Sequence, residues 1–306
     1  MGSTDAHIVH GDPGGVGTLL RAALPSIPVV NQLPGIRKTG HFDGLAFTRP
    51  VVTVEREHVA AYAEVCGFPV KDTAPLTYPH LLAFPLHMAV LSDPSFPFPA
   101  VGAVHLGNAI TQHRPVAIGE TLTVTVRADE VRSHPKGRVV DFVTTVDAGG
   151  EVVWESTSTY LKRGRSDGDS QGPTDEGGPT TVVPGRVTWR LGGDLGRRYA
   201  AVSGDHNPIH LYPLTAKALG FPRQIAHGMW SLARCVAALE NRLPDAVTVE
   251  AAFKKPIFLP GTVAFGQEPV RGGTGGTDGT DDGIVFALTS PKSGAPHLVG
   301  RIQRAR

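Results

Sequence analysis

The sequence is poor in cysteine: its 306 residues include two, Cys66 and Cys235. They lie far apart, with no CxxC pair and no Cys/His cluster, so neither a disulfide framework nor a structural zinc site is expected. An excess of one charge is lacking too. Lysine and arginine number 29 against 28 aspartate and glutamate, a formal net charge of +1. That balance provides no basic field to hold a nucleic acid backbone. No apolar run is long enough to cross a bilayer. The start, MGSTDAHIVHGDPGG, lacks the basic stretch and apolar run of a secretory signal. GDPGGVG at 11–17 is glycine-rich but fits neither a phosphate loop nor a dinucleotide fingerprint. The expectation is a cytoplasmic protein with no nucleic acid or membrane partner. Hydrophobic residues make up 41% of the chain, enough for packed cores in about two domains.

Two stretches are nearly devoid of apolar residues. GRSDGDSQGPTDEGGPTT at 164–181 reads as a linker, because it cannot offset its own ordering entropy. GGTGGTDGTDDG at 272–283 reads as a long loop between strands. Residues 1–44, rich in Gly and Pro, form an arm. The expected domains are therefore 45–163 and 182–306.

These halves repeat one order of features. YAEVCG at 62–67 recurs as YAAVSG at 199–204. An apolar helical stretch follows in each, at 76–91 and 225–239. A strand-like run then meets Pro115 or Pro256, and each half ends in further strands. Leu122, Val124 and Val126 alternate with polar neighbours, as do Val140, Phe142 and Val146, which indicates strands with one buried face. Leu232, Val236, Leu239 and Leu243 recur at helical spacing, and Met229, Trp230 and Ala233 extend the apolar surface to other sides. Such a helix must be wrapped, so each half is expected to be an antiparallel sheet curled around one helix. Pro85 should kink or shorten the first of these helices.

One stretch, YAAVSGDHNPIH at 199–210, carries chemistry. Asn207-Pro208 is a good helix start, with Asn207 capping and Pro208 in the first turn. His210 then falls near the positive end of a helix dipole, which favours a neutral imidazole. Taken alone, the turn favours the plainer reading, in which Asp205 and Asn207 make an Asx turn and His210 lies on the surface. The first half has GFPVKDT in the corresponding place, so the fold element does not require the polar cluster.

These residues resemble the hydratase motif of the MaoC-like dehydratases, the (R)-specific enoyl-thioester hydratases. The matching positions are Tyr199, Ser203, Gly204, Asp205, Asn207, Pro208, Ile209, His210 and Ala216. AHGM at 226–229 resembles the opening of the family's central helix. LTYPHLLAFPLHMAVLSD and FPFPAVGAVHLGN are similar to the first half of double hot-dog members of fatty-acyl or polyketide elongation. The resemblance covers the chain from about residue 45 and implies an α+β double hot-dog whose first half has lost its catalytic residues.

It further implies hydration of trans-2-enoyl thioesters or dehydration of (3R)-hydroxyacyl thioesters, carried by CoA or acyl carrier protein. Asp205 and His210 would move the protons, and the Gly228 N–H would polarise the thioester carbonyl. Ser203 and Asn207 would touch the reacting water or only shape the loop, and His227 would touch substrate or orient it. Lys254 and Lys255 would meet the phosphates of CoA or of a carrier arm, or form an ordinary solvated face. Phe84 and Met88 would line an acyl tunnel or pack the core. His80 and His87 lack ligand-spaced acid or thiol partners, so no metal is expected, and the reaction needs no cofactor. A homodimer is compatible with the sequence. The rivals are a hot-dog thioesterase, disfavoured because residues 228–239 hold no acid, and a non-catalytic acyl-binding subunit.

Overall fold

A computed structural model describes residues 6–9, 44–98, 103–164, 178–270 and 283–305. The arm at 1–44, the linker at 164–181 and the glycine-rich stretch at 272–283 lie largely outside the described residues.

The chain folds into two compact units, each with its own sheet and helix. In the first, β1 (His7–Ile8) lies parallel to β2 (Leu45–Thr53), and β2 pairs antiparallel with β4 (Thr121–Ala128). The ladder continues through β6 (Gly137–Ala148) to β7 (Glu151–Arg163), with the short β5 (Arg132–His134) on β6. The alternation in the sequence holds: Leu122, Val124, Val126, Val140, Phe142 and Val146 are all buried.

Helix α2 (Pro79–Ser92) packs on β2, β4 and β6. It buries residues on nearly every side, including Leu81, Leu82, Phe84, Leu86, Met88 and Val90. Pro85, expected to kink or shorten this helix, lies inside it and does not end it. Proline leaves a helical carbonyl without its donor and crowds the preceding turn. Arg49 Nη1 donates to the Leu82 carbonyl at 3.4 Å within that turn. Arg49→Met keeps the apolar stem and removes this donor, so it should destabilise by about 1 kcal/mol. A shift of the urea midpoint at constant m-value would register it. His87 is buried between hydroxyl groups, with Tyr160 Oη 3.3 Å from Nδ1 and Thr144 Oγ1 3.2 Å from Nε2. Burial pushes its imidazole well below the ordinary value, so it is a neutral core group.

The second unit collects the C-terminal elements together with Val54–Tyr78 and Gly107–Gly119. The compact units therefore differ from a simple cut at the linker. The cause is α1 (Arg56–Cys66), which packs on α3 (Leu195–Ser203) and brings Tyr62 to Tyr199 at a ring-centroid distance of 6.3 Å. These are the helices of the YAEVCG and YAAVSG repeats, and each ends on a left-handed glycine. Gly67 has φ 80° and bonds the Ala63 carbonyl; Gly204 has φ 73° and bonds the Ala200 carbonyl. The repeated glycine is thus a helix stop.

The sheet of this unit runs from the Gly107–Gln112 part of β3 (Ala103–Gln112) to β9 (Val247–Phe253) and β12 (Pro296–Arg304). It continues antiparallel through β11 (Gly283–Thr289) and β10 (Gly261–Val270) to β8 (Val187–Leu191). Between α3 and the central helix lie two short helices, α4 (Pro208–Leu211) and α5 (Pro213–Ala218). The central helix α6 (Gly228–Ala237) packs on β11 and buries Met229, Trp230, Leu232, Ala233, Cys235 and Val236. Apart from the parallel β1, each unit thus pairs an antiparallel sheet with one enclosed helix, as the sequence pattern requires. No helix among the described residues is long and apolar enough to cross a membrane.

Candidate active site

Asp205 follows the glycine that stops α3. Its backbone N–H donates to Ser203 Oγ at 3.2 Å, and its Oδ1 accepts from the Asn207 N–H at 3.1 Å. Asn207 then caps α4, its side chain accepting from the Ile209 N–H at 3.4 Å. Ser203 and Asn207 therefore both shape the loop. This succession of side chain-to-backbone bonds is what Ser, Asp and Asn do when free of regular structure.

The turn delivers His210 to the interior, with 8% of its surface exposed, so the surface reading of this histidine fails. Its Nδ1 is 2.8 Å from the Ile225 carbonyl oxygen. A carbonyl can only accept, so Nδ1 carries the proton and Nε2 presents its lone pair. Burial lowers the imidazole pKa below the ordinary value, partly opposed by the Asp205 charge and the bond to Ile225. The sequence reading credited neutrality to a helix dipole. A four-residue helix has little dipole to offer, and desolvation does the work instead.

His227 lies flat against His210, with ring centroids 3.7 Å apart and planes inclined by 28°. Its Nε2 donates to the backbone carbonyl of Asp205 at 3.0 Å and stands 3.8 Å from the Asp205 carboxylate. Distance alone would allow an ion pair. Burial, then His210, push His227 well below the ordinary value, so the contact joins a neutral ring to a carboxylate.

One donor atom from each of Asp205, His210 and His227 lies within 4.8 Å of the others, a spacing a metal ion could use. The ring geometry fits it poorly. Nearly parallel stacked imidazoles direct their in-plane lone pairs side by side and not toward one shared point.

Gly228 opens α6, where a helix leaves its first N–H groups without internal partners. A side chain there would meet the Phe253 ring at 3.2 Å. Lys254 and Lys255 follow Phe253 directly and are exposed. Among the described residues, no hydrogen bond or ion pair links them to Asp205 or His210.

Three contributors escaped the sequence reading. The Ile225 carbonyl sets the His210 tautomer, and a backbone atom leaves no trace in residue type. His58, from α1, donates through Nε2 to the Val202 carbonyl at 2.7 Å, bracing the end of α3; its Nδ1 is 2.9 Å from Tyr78 Oη. Gly196, within α3, is the third: a Cβ there would sit 1.9 Å from the His210 carbonyl oxygen. A lone glycine inside a helical pattern was the available signal.

The model of the family described as MaoC like domain matches residues 179–278. The 3-hydroxyacyl-thioester dehydratase X of Mycobacterium tuberculosis is 38% identical over 293 residues, which span 95% of this chain and 98% of that protein. The crystal structure of HtdX from that organism superposes with a TM-score of 0.71 at 37% identity, covering 85% of this chain and 99% of that one. A further M. tuberculosis protein, described as having a double hot-dog fold, matches at 14% identity and TM-score 0.54 over 85% of this chain and 94% of that one. The (R)-specific enoyl-CoA hydratase of Aeromonas caviae is 33% identical over 78 residues, 24% of this chain and 58% of that protein. The fold is a double hot-dog, and the chain belongs to the family of MaoC-like dehydratases.

Proposed function

We propose that this chain interconverts (3R)-hydroxyacyl thioesters and trans-2-enoyl thioesters by removing or adding water. The observation that carries the proposal is the tautomer of His210. A buried, neutral imidazole with Nδ1 committed to Ile225 offers Nε2 as a base beside the Asp205 carboxylate. The names of the M. tuberculosis and A. caviae relatives support the same reaction class.

In hydration, one water sits between Asp205 Oδ2 and His210 Nε2. His210 takes a proton as the water oxygen bonds to C3. The C2=C3 electron pair moves onto the thioester oxygen, where the Gly228 N–H receives the developing charge. Nε2 returns the proton to C2 as the carbonyl re-forms. Water is thus added across one face, and dehydration is the reverse. The Asp205 carboxylate holds the water and offsets the transient imidazolium. Only water is gained or lost, so the steps call for no redox cofactor, and Asp205, His210 and the Gly228 N–H supply the proton transfers and the charge stabilisation that a metal would otherwise provide.

Lys254 and Lys255, exposed directly after the Phe253 that lies against Gly228, would meet the phosphates of CoA or of a carrier-protein arm. A cytoplasmic setting, a homodimer, and a lipid or polyketide pathway belong to the same proposal.

The test is hydration of a short trans-2-enoyl-CoA, followed by loss of enoyl absorbance and by product chirality. Formation of the (R)-3-hydroxy product is expected; release of free thiol would favour a thioesterase instead. The acid limb of kcat/KM is also informative. Because burial depresses the His210 pKa, neutral Nε2 persists as pH falls through the ordinary imidazole value. Activity should therefore decline only below about pH 6.5. A decline setting in well above that value would exclude a desolvated His210 as the base.

A further inference from the structure

We infer that His227 is a positioning residue which holds both halves of the acid–base pair from one buried side chain. The inference rests on the proposed roles of Asp205 and His210 and adds to them a residue that need not meet substrate.

His227 is 2% exposed. Its Nε2–H is committed to the Asp205 carbonyl, which fixes the peptide carrying that carboxylate. Its Nδ1 is buried and has no hydrogen-bond partner among the described residues. Neither nitrogen is therefore presented to substrate. The face of its ring lies on His210 at 3.7 Å and limits how that imidazole can swing about its bond to Ile225. The ring of Tyr199 is 4.8 Å away. The backbone of His227 is held as well, because its carbonyl accepts from Ser231 Oγ at 3.1 Å and from the Ser231 N–H at 3.2 Å. Gly228 comes next in the chain, so the start of α6 moves with this residue. One residue is thus tied through its side chain to the peptide of Asp205 and the ring of His210, and through its backbone to Gly228.

Two separable properties make this a histidine. A phenyl ring would stack on His210 but could not donate to Asp205. A glutamine would reach Asp205 with an N–H but could not stack. A leucine would do neither. Loss of both constraints frees the reacting groups by distances on the ångström scale, which is worth about a hundredfold in rate.

The experiment compares His227→Gln, His227→Phe and His227→Leu with the unaltered full-length chain in hydration of a trans-2-enoyl-CoA. In parallel, imidazole 15N NMR reads the tautomer of His210. We expect kcat to fall about a hundredfold in the leucine variant with KM little changed. Glutamine and phenylalanine should each restore part of the loss. The Nδ1-protonated signature of His210 should be sharp in the unaltered protein and averaged in the leucine variant. A leucine variant with undiminished kcat would overturn the inference, as would a loss confined to KM, which marks a direct substrate contact. Equal loss in all three variants with an unchanged His210 signature would also overturn it. Should the unaltered chain fail to turn over enoyl thioesters of both CoA and acyl carrier protein, the reaction assignment falls. The NMR comparison then decides the role of His227 alone.

Discussion

His210→Ala should hydrate a 2-enoyl thioester some 10²- to 10⁴-fold more slowly than the unaltered chain, with kcat carrying the loss. The side chain is not a binding group: its Nδ1 is spent on Ile225, and what it offers the reaction is one lone pair. Removing it leaves water with no base of suitable strength at hand. The oxyanion donor proposed at Gly228 and the binding of the acyl chain would survive, so some residual rate is expected. Asp205→Asn should also impair kcat, since an amide can hold the water but cannot offset an imidazolium. Steady-state kinetics with circular dichroism on each variant would check both. If His210→Ala kept its kcat, the water would have to be activated by Asp205 alone, and the mechanism above would be wrong.

Gly196→Ala should be nearly as damaging, although the residue holds no chemistry. On helix propensity alone the change should stabilise by up to about 1 kcal/mol. The geometry reverses that sign. An added Cβ would sit 1.9 Å from the carbonyl oxygen of His210, well inside van der Waals contact. Either α3 or the His210 backbone must retreat by more than about 1 Å, enough to lower kcat by about two orders of magnitude. Overpacking of this kind also costs about 1–3 kcal/mol of stability. Kinetics and urea unfolding on the same preparation would separate the two effects. A variant that gained stability and kept its kcat would mean that the backbone of α4 adapts freely, and that the close approach is incidental.

The contrast between these two positions indicates how much of the molecule could be read from its residues. The sheets were legible because Leu122, Val124, Val126 and their counterparts alternate, and burial obeys that alternation. The enclosed helices were legible because Leu232 and Val236 sit among apolar neighbours on other sides. The loop at Asp205 was legible because Asn-Pro and Asp have strong local habits. Contacts made by backbone atoms were not. Nothing in residue 225 being isoleucine reveals that its carbonyl sets a tautomer. The packing of α1 on α3 was hidden too, since Tyr62 and Tyr199 look alike in sequence and neither indicates its partner. Pro85 does not end its helix, and residue type alone does not show why.

The short segment at Ile225 has a consequence for how the site comes apart. The Ile225 N–H donates to the Ile209 carbonyl at 3.0 Å, its carbonyl accepts from His210, and it bridges to Phe258. The next N–H, of Ala226, bonds the Ile257 carbonyl at 2.9 Å. The segment at Ile257–Phe258 and the turn that carries His210 are thus laced through two consecutive residues, so neither can fray without loosening the other. Local opening here should be a single cooperative event, in the manner of a small unfolding unit, not a gradual softening. His210 and the backbone that sets its tautomer are therefore gained and lost together.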